Sequence, residues 1–166
     1  MSDTYYVKTF GGLEITNDNV TVNIVELFGK QLVNLLQVLL FHSEKPVQKD
    51  ELIDILWPES KNPSSALKFS IFRLRAELNE IEFFKDKEVI VTTRKGYILN
   101  PNLDWNIDFV ELEKAYNQIN DGSELLDEKE FKTARKIFRL YQGRSMLHQA
   151  NCTGFYRNKR SLDKCM

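Results

Sequence analysis

The chain has 166 residues, of which 42% are hydrophobic and 28% charged, and this composition suits one or two small soluble domains. It has no apolar run of about 18 residues and no N-terminal basic region followed by an apolar core, so we expect neither a membrane span nor a signal peptide, and a cytoplasmic location. The net charge of −1 means that any affinity for nucleic acid must come from a local patch.

The first 28 residues are predicted to form short strands. Three β-rich segments alternate with turn-forming residues such as the pair Gly11-Gly12. We therefore expect a hairpin or a meander of three or four strands. The β-rich segments span residues 5–10, 13–16 and 20–25.

Three helices are predicted next, followed by a hairpin. Apolar residues recur at helical spacing in each helix, and Trp57-Pro58 stops the second one. The hairpin has two β-rich segments joined by a tight turn, Arg94-Lys95-Gly96. The helices cover residues 30–41, 49–56 and 62–78, and the strands of the hairpin cover residues 88–93 and 97–99.

The third predicted helix has two chemically different faces. At about 100° per residue, four large aliphatic side chains stack into a narrow stripe that we expect to be buried. The opposite side presents two phenylalanines beside an arginine, and these need a partner because they point away from the core. The aliphatic stripe is Leu67, Ile71, Leu74 and Leu78, and the opposite face is Ser65, Phe69, Phe72, Arg73 and Ala76, flanked by Lys68 and Arg75.

The outward face has the properties of a helix that enters the DNA major groove. Arginine donates to phosphates and base edges, apolar groups contact thymine methyls, and small residues permit close approach. Pro63, Ser64 and Ser65 supply a helix start, with hydroxyls free to cap backbone N–H groups. Periodicity alone fits a second interpretation equally well, namely a core helix with a solvated basic face and one phenylalanine packed under a loop.

Three helices followed by a hairpin with a basic tip is the order of a winged helix-turn-helix, in the α+β class. The segments 52–58, 73–75 and 96–97 resemble the DNA-binding domain of OmpR-type regulators, which carries an antiparallel sheet before its three helices. Residues 10–15 and 104–108 resemble, more narrowly, the antibiotic regulatory (SARP) branch of that family. The resemblance implies a transcription regulator that binds double-stranded DNA.

In the SARP branch a bacterial transcriptional activator domain follows the winged helix, and residues 134–143 are similar to a signature of it. We therefore divide the chain into a winged-helix domain, residues 1–102, and a partial helical domain, residues 103–166. Paired helices here look like tetratricopeptide-type repeats, which bury their faces only when several stack. The family pattern continues for several more helices, so we expect a cut chain or a short form, and Phe155-Tyr156 stands where the family commonly has tryptophan. The predicted helices cover residues 108–120, 128–142 and from about 154 onward.

Basic residues are concentrated late in the chain. Residues 129–164 contain ten lysines or arginines and two acids. This pattern fits a solvated helix face in an incomplete array, and it also fits an auxiliary phosphate contact or a dock for an acidic surface.

Catalytic, cofactor and metal-binding motifs are absent from the sequence. His42 and His148 are isolated, and Cys152 and Cys165 lack the spacing of a zinc site with a histidine. We expect both cysteines to be free thiols. The pair Gly11-Gly12 is not followed by the Gly-Lys-Ser/Thr of a phosphate-binding loop. We therefore expect no enzyme activity, no cofactor and no metal.

The expected DNA contacts come from the third helix and the wing. Arg73 would donate to a base edge and Phe69 would contact thymine methyls, while the wing would lie against the adjacent backbone or the minor groove. The full set of expected DNA-binding residues is Ser64, Ser65, Lys68, Phe69, Phe72, Arg73, Arg75, Arg94 and Lys95.

The expected partners follow from the resemblance, and the expected assembly follows from the absence of a long heptad run. The resemblance implies that residues 57–63 and the helical domain recruit RNA polymerase. No long heptad run predicts a symmetric dimer, so we expect a monomer in solution that pairs head-to-tail on direct repeats. The alternative function is a protein-interaction module whose winged helix is degenerate for DNA binding.

Overall fold

The computed structural model describes residues 3–120, with side chains through residue 114. These residues form a four-stranded sheet, a two-stranded hairpin and five α-helices, so the predicted α+β class is confirmed. They separate into two compact units, one of residues 3–24 with 104–120 and one of residues 25–103.

The first unit is built on a mixed sheet. Strands β1 (Thr4–Lys8), β2 (Glu14–Asn17) and β3 (Val20–Asn23) pair antiparallel in chain order. Strand β6 (Asp104–Ile107) joins the free edge of β1 in parallel, which gives the order β3-β2-β1-β6. The three predicted N-terminal strands are therefore confirmed, and the fourth strand comes from the far end of the winged helix.

Alternation along the strands gives the sheet one buried face and one exposed face. Tyr5, Val7 and Ile15 are almost completely buried, whereas the intervening Tyr6 is 54% exposed. The ring of Tyr5 lies 5.2 Å from the ring of Trp105 on the neighbouring strand. This aromatic contact helps to hold β6 in the sheet.

The turn between β1 and β2 needs its glycines. Gly11 and Gly12 have φ angles of 78° and 156°, a region of backbone conformation that side chains with a Cβ rarely adopt. The β3 prediction ran two residues too far, because the strand ends at Asn23 and the one-turn helix α1 (Ile24–Leu27) begins there.

Helix α5 (Asp108–Asn120) is attached to the sheet through its first residue. The Asp108 carboxylate accepts hydrogen bonds from the Thr9 backbone N–H at 2.9 and 3.0 Å and from the Thr9 hydroxyl at 2.6 Å. It also accepts from the backbone N–H groups of Phe10 and Phe109, at 3.3 and 2.7 Å. One carboxylate thus satisfies donors at the end of β1 and at the start of α5.

The predicted domain boundary falls between residues 102 and 103. Strand β6 begins two residues later and completes the N-terminal sheet, and α5 is tied to that sheet by Asp108. We therefore propose that the fragment which folds with the sheet extends through residue 120 rather than stopping at 102.

The second unit contains the helices of the winged helix. Helices α2 (Lys30–Phe41) and α3 (Lys49–Leu56) begin and end where the sequence predicts, and α4 (Pro63–Asn79) is followed by a short 3-10 turn. Their apolar faces form the core together with the residues after α4. The buried side chains of this core include Leu35, Leu36, Leu39, Leu40, Leu52, Leu67, Leu74, Leu78, Phe84 and Ile90.

The wing is a hairpin of β4 (Ile90–Thr92) and β5 (Tyr97–Leu99). Val47, in the connection between α2 and α3, extends it by one antiparallel bridge to Tyr97, with N···O distances of 2.8 and 3.0 Å. Gly96 makes this approach possible, because a Cβ there would lie 1.8 Å from the Val47 carbonyl oxygen. The wing is therefore anchored, at the strand end next to its turn, to the connection between α2 and α3.

Several predictions fall on residues outside the described part of the chain: the helices at 128–142 and from 154, the basic segment 129–164, His148 and both cysteines. Within residues 3–120, no helix combines the length and the apolar character that crossing a bilayer requires.

Candidate nucleic-acid interface

The start of α4 is exposed and has no side-chain cap. Asn62 occupies the N-cap position without a side-chain hydrogen bond, and Pro63 is the first helical residue. Ser64 and Ser65 lie in the first turn and are exposed to solvent. The predicted capping by these hydroxyls is not observed. The N–H groups of a helix's first turn have no partner within the helix, and they carry the positive end of its dipole.

The two faces of α4 are separated as the periodicity predicts. The four aliphatic residues of the predicted stripe are buried, and Ser70, which the sequence analysis did not assign to the core, is only 8% exposed. On the other side, Phe69 is 62% exposed and Phe72 is 70% exposed. The second interpretation of this helix, in which one phenylalanine packs under a loop, is therefore excluded for both Phe69 and Phe72. Two large apolar side chains exposed on one face of a helix form a local apolar patch, which is a feature of binding surfaces.

Arg73 lies beside the exposed phenylalanines and is held only loosely. Its guanidinium donates to a Glu77 carboxylate oxygen at 3.4 Å, one helical turn away, with the two side chains 52% and 38% exposed. An exposed pair of this kind is worth about 0.3–0.5 kcal/mol. Arg73 can therefore exchange Glu77 for a stronger acceptor at little cost.

Arg75 has a different environment from Arg73. Its side chain is partly buried, and both Nε and one terminal nitrogen donate to the Ile90 carbonyl oxygen, at 3.1 and 2.8 Å. The same terminal nitrogen donates to the Thr92 hydroxyl at 2.8 Å. The side chain that the sequence analysis assigned to phosphate binding thus connects α4 to the first strand of the wing.

The tip of the wing presents two cations. The Thr93 N–H donates to the Gly96 carbonyl at 2.7 Å, and the Thr93 hydroxyl accepts from the N–H groups of Lys95 and Gly96, both at 3.2 Å. These bonds close the turn and leave the side chains of Arg94 and Lys95 exposed. The wing therefore holds both basic residues on an ordered backbone.

The candidate DNA-binding surface, defined here as the exposed face of α4 with the wing tip, has an excess of available positive charge. Lys68, Arg94 and Lys95 are exposed and form no ion pair within the described residues. The structure brings together on α4 and the wing all nine residues that the sequence predicted, and it gives eight of them exposed side chains.

His42, one of the two isolated histidines, is the residue that follows the last turn of α2. The Nδ1 atom of His42 lies 2.9 Å from the Val38 carbonyl oxygen at the end of α2, which makes His42 a helix-capping residue. In residues 3–120, no group of three or more histidine, cysteine or acidic side chains is placed to hold a metal ion.

Two comparisons with known proteins find similarities, one to a protein family and one to a solved structure. Residues 23–99 match the family described as "Transcriptional regulatory protein, C terminal". Among solved structures, the chain is similar to Mycobacterium tuberculosis EmbR in complex with a low affinity phosphopeptide, with 19% identity and a TM-score of 0.48 over 84% of this chain. The chain spans 35% of the length of that protein. A search of the curated proteins finds no match.

Proposed function

We propose that this chain is a sequence-specific regulator that reads duplex DNA with α4, on the premise that residues 23–99 match the family of C-terminal domains of transcriptional regulatory proteins. The observation that carries the proposal is the exposed stripe of α4, where Phe69, Phe72 and Arg73 face solvent opposite a buried aliphatic stripe. A core helix would bury these aromatic rings.

The chemistry of α4 supports insertion into the major groove. Arg73 can donate two hydrogen bonds to the O6 and N7 atoms of a guanine, and the ring of Phe69 can contact a thymine methyl. Lys68 lies on the flank of this stripe, where a phosphate would be the neighbouring group. The exposed N-terminal turn, with Ser64 and Ser65, offers hydroxyl and backbone donors to a second phosphate.

The wing supplies the sequence-independent part of the interaction. Arg94 and Lys95 are exposed at its tip, and each phosphate contact releases counterions and strengthens binding at low salt. An arginine at a wing tip can also enter a narrow minor groove. We assign the wing to the backbone or minor groove next to the site that α4 reads.

The regulatory mode that we propose rests on the resemblance to the SARP branch. In this proposal residues 57–63 and the region after residue 103 recruit RNA polymerase, so the protein activates transcription in the cytoplasm. Two copies bind head-to-tail on direct repeats. Head-to-tail contacts between protein copies repeat in one direction along the DNA, whereas the interface of a two-fold symmetric dimer is closed.

The test is selection of bound sequences from random duplex DNA with the purified full chain and with Arg73→Ala. We expect the wild-type chain to enrich a motif in two direct copies about 10–11 base pairs apart. The variant should keep that motif but lose its preference at one position in each copy, because one base contact is removed.

Two outcomes would contradict the proposal in different ways. Selection without any enriched sequence would favour the alternative, an interaction module that binds a protein through the same exposed phenylalanines. Enrichment that Arg73→Ala leaves unchanged would mean that another face of the domain reads DNA.

A further inference from the structure

The position of the wing relative to α4 depends on few polar contacts. The hairpin β4–β5 is short, with three residues in each strand. One strand, β5, is fixed by the bridge between Tyr97 and Val47, at the end of the strand next to the turn. Within residues 3–120, the polar contacts between β4 and α4 all come from Arg75.

The Arg75 side chain connects α4 to β4, and we call this connection the strut. The stem of Arg75 leaves α4 on the flank of the exposed reading face, and its guanidinium ends on the Ile90 carbonyl and the Thr92 hydroxyl. Thr92 is the last residue of β4 and is two positions before Arg94 at the wing tip. The strut therefore joins the flank of α4 to the end of β4 that is closest to the wing cations.

Three donated bonds from one planar group fix direction as well as distance. The guanidinium holds its N–H groups in a rigid fork, so it can meet two neighbouring acceptors at once, whereas a lysine ammonium is a point charge on a flexible stem. A guanidinium committed to protein acceptors at 2.8–3.1 Å is also poorly placed to bind a phosphate.

We propose that Arg75 is a positioning residue for DNA recognition, which holds the wing cations Arg94 and Lys95 at the correct distance from the helix that reads the major groove. The inference rests on the proposed DNA-binding function and replaces the direct phosphate contact expected from the sequence. Without the strut, α4 still reads its bases and β5 keeps its bridge to Val47, but β4 loses its hydrogen bonds to α4 and the wing delivers its two charges to the backbone less effectively.

The test is a double-mutant cycle on a selected duplex, with affinity measured by fluorescence anisotropy across a range of salt concentrations. The wing is removed by the double substitution Arg94→Ala and Lys95→Ala, in the wild-type background and in Arg75→Lys and Arg75→Met. In the wild-type background, loss of two phosphate contacts should reduce the slope of log K against log salt by about 1.8. In both Arg75 backgrounds, removal of the wing cations should change both the affinity and the salt slope less than it does in the wild-type background.

Arg75→Lys separates positioning from direct contact. It keeps the positive charge, so a phosphate-binding Arg75 would tolerate it and Arg75→Met alone would lose affinity. A strut loses its forked geometry in both variants, so the two should bind alike. Lys68→Ala is the matched control on the same helix, and its effect should add to that of the wing substitution because Lys68 is exposed and forms no hydrogen bond or ion pair with the wing within residues 3–120.

Thr92→Val keeps the test valid if the Arg75 variants are destabilised. Thr92 is exposed, so this nearly isosteric change removes one acceptor of the strut without opening the core. It should reduce the effect of the wing substitution in the same direction as the Arg75 variants.

The outcomes are distinguishable. Additive effects of the Arg75 and wing substitutions would overturn the positioning role, and so would a wing substitution that leaves wild-type affinity unchanged. A wild-type chain that binds no duplex selectively would contradict the proposed function itself, and the inference would fall with it.

Discussion

Gly96→Ala should destabilise the chain more than any other single methyl addition at a described glycine. The new Cβ would lie 1.8 Å from the Val47 carbonyl oxygen and 2.7 Å from its carbon, and both neighbours are backbone atoms that cannot rotate away. The φ angle of 148° is also strained for a residue with a Cβ. The wing must therefore move away from the connection between α2 and α3.

The magnitude follows from what that movement breaks. The two bonds between Val47 and Tyr97 are lost, at a net cost of about 1 kcal/mol each. Backbone strain at residue 96 adds about 1–3 kcal/mol. We therefore expect a loss of about 3–5 kcal/mol from a total stability of about 5–15 kcal/mol.

The assay is urea denaturation of the full chain followed by circular dichroism, with hydrogen exchange at Val47 and Tyr97 as a local readout. Gly29→Ala is the matched control, because no atom lies within 4 Å of its new Cβ and its φ is −64°. The control should cost about 1 kcal/mol or less, as expected at an N-cap. Equal midpoints for the two variants, with both amides still protected, would refute the close approach at Gly96.

Four further predictions test other parts of the account. Lys68→Ala should weaken binding evenly across DNA sequences and lower the salt slope by about one, as measured by anisotropy, and an effect confined to one sequence would make Lys68 a base contact. Phe69→Ala should reduce DNA affinity but lower the folding stability far less than the roughly 3–5 kcal/mol that a buried Phe→Ala costs, because Phe69 is 62% exposed. A large drop in melting temperature with intact affinity would contradict this. Asp108→Ala should lower the stability measured by urea denaturation by at least about 2 kcal/mol, because a charged acceptor of several hydrogen bonds is removed, and Asp108→Asn should have a smaller effect. An unchanged denaturation midpoint would mean that α5 is held by other contacts. Inserting about five base pairs between direct half-sites should abolish cooperative binding in a mobility-shift assay, while a full-turn insertion should damage it less; insensitivity to phase would rule out head-to-tail contacts.

The local elements were predictable because each has its own periodic signal. Helices α2, α3 and α5 have the predicted bounds, since runs of leucine or aromatic residues at helical spacing are bounded by glycine, proline or tryptophan-proline. The exposure of Phe69 and Phe72 also followed from helical phase alone, and the structure confirms it.

Contacts between residues distant in sequence were not predictable in the same way. Strand β6 pairs with β1 across about a hundred residues, and nothing in four residues of local pattern indicates a parallel partner so far away. The structural role of Arg75 depends on acceptors 15 and 17 residues later in the chain. Helical phase places Arg75 on the flank of the reading face, but it cannot reveal that a wing strand returns to that position.

Gly96 shows the same limit in another form. The sequence identified it as part of a tight turn, and the turn is present. The stronger requirement for glycine is the approach of Val47, which belongs to the connection between α2 and α3. A glycine in a predicted turn therefore carried information about packing that only the folded arrangement made visible.

The central claim, that α4 reads duplex DNA, is tested most directly by the ratio of affinities for a selected duplex and a scrambled duplex of the same composition. The ratio is measured with the full chain at physiological salt, by competition. We predict a ratio of at least about 10³, typical of specific recognition, and a decrease by about 1–3 kcal/mol in discrimination for Arg73→Ala. Equal affinity for the two duplexes, with a salt dependence typical of phosphate contacts alone, would contradict the claim.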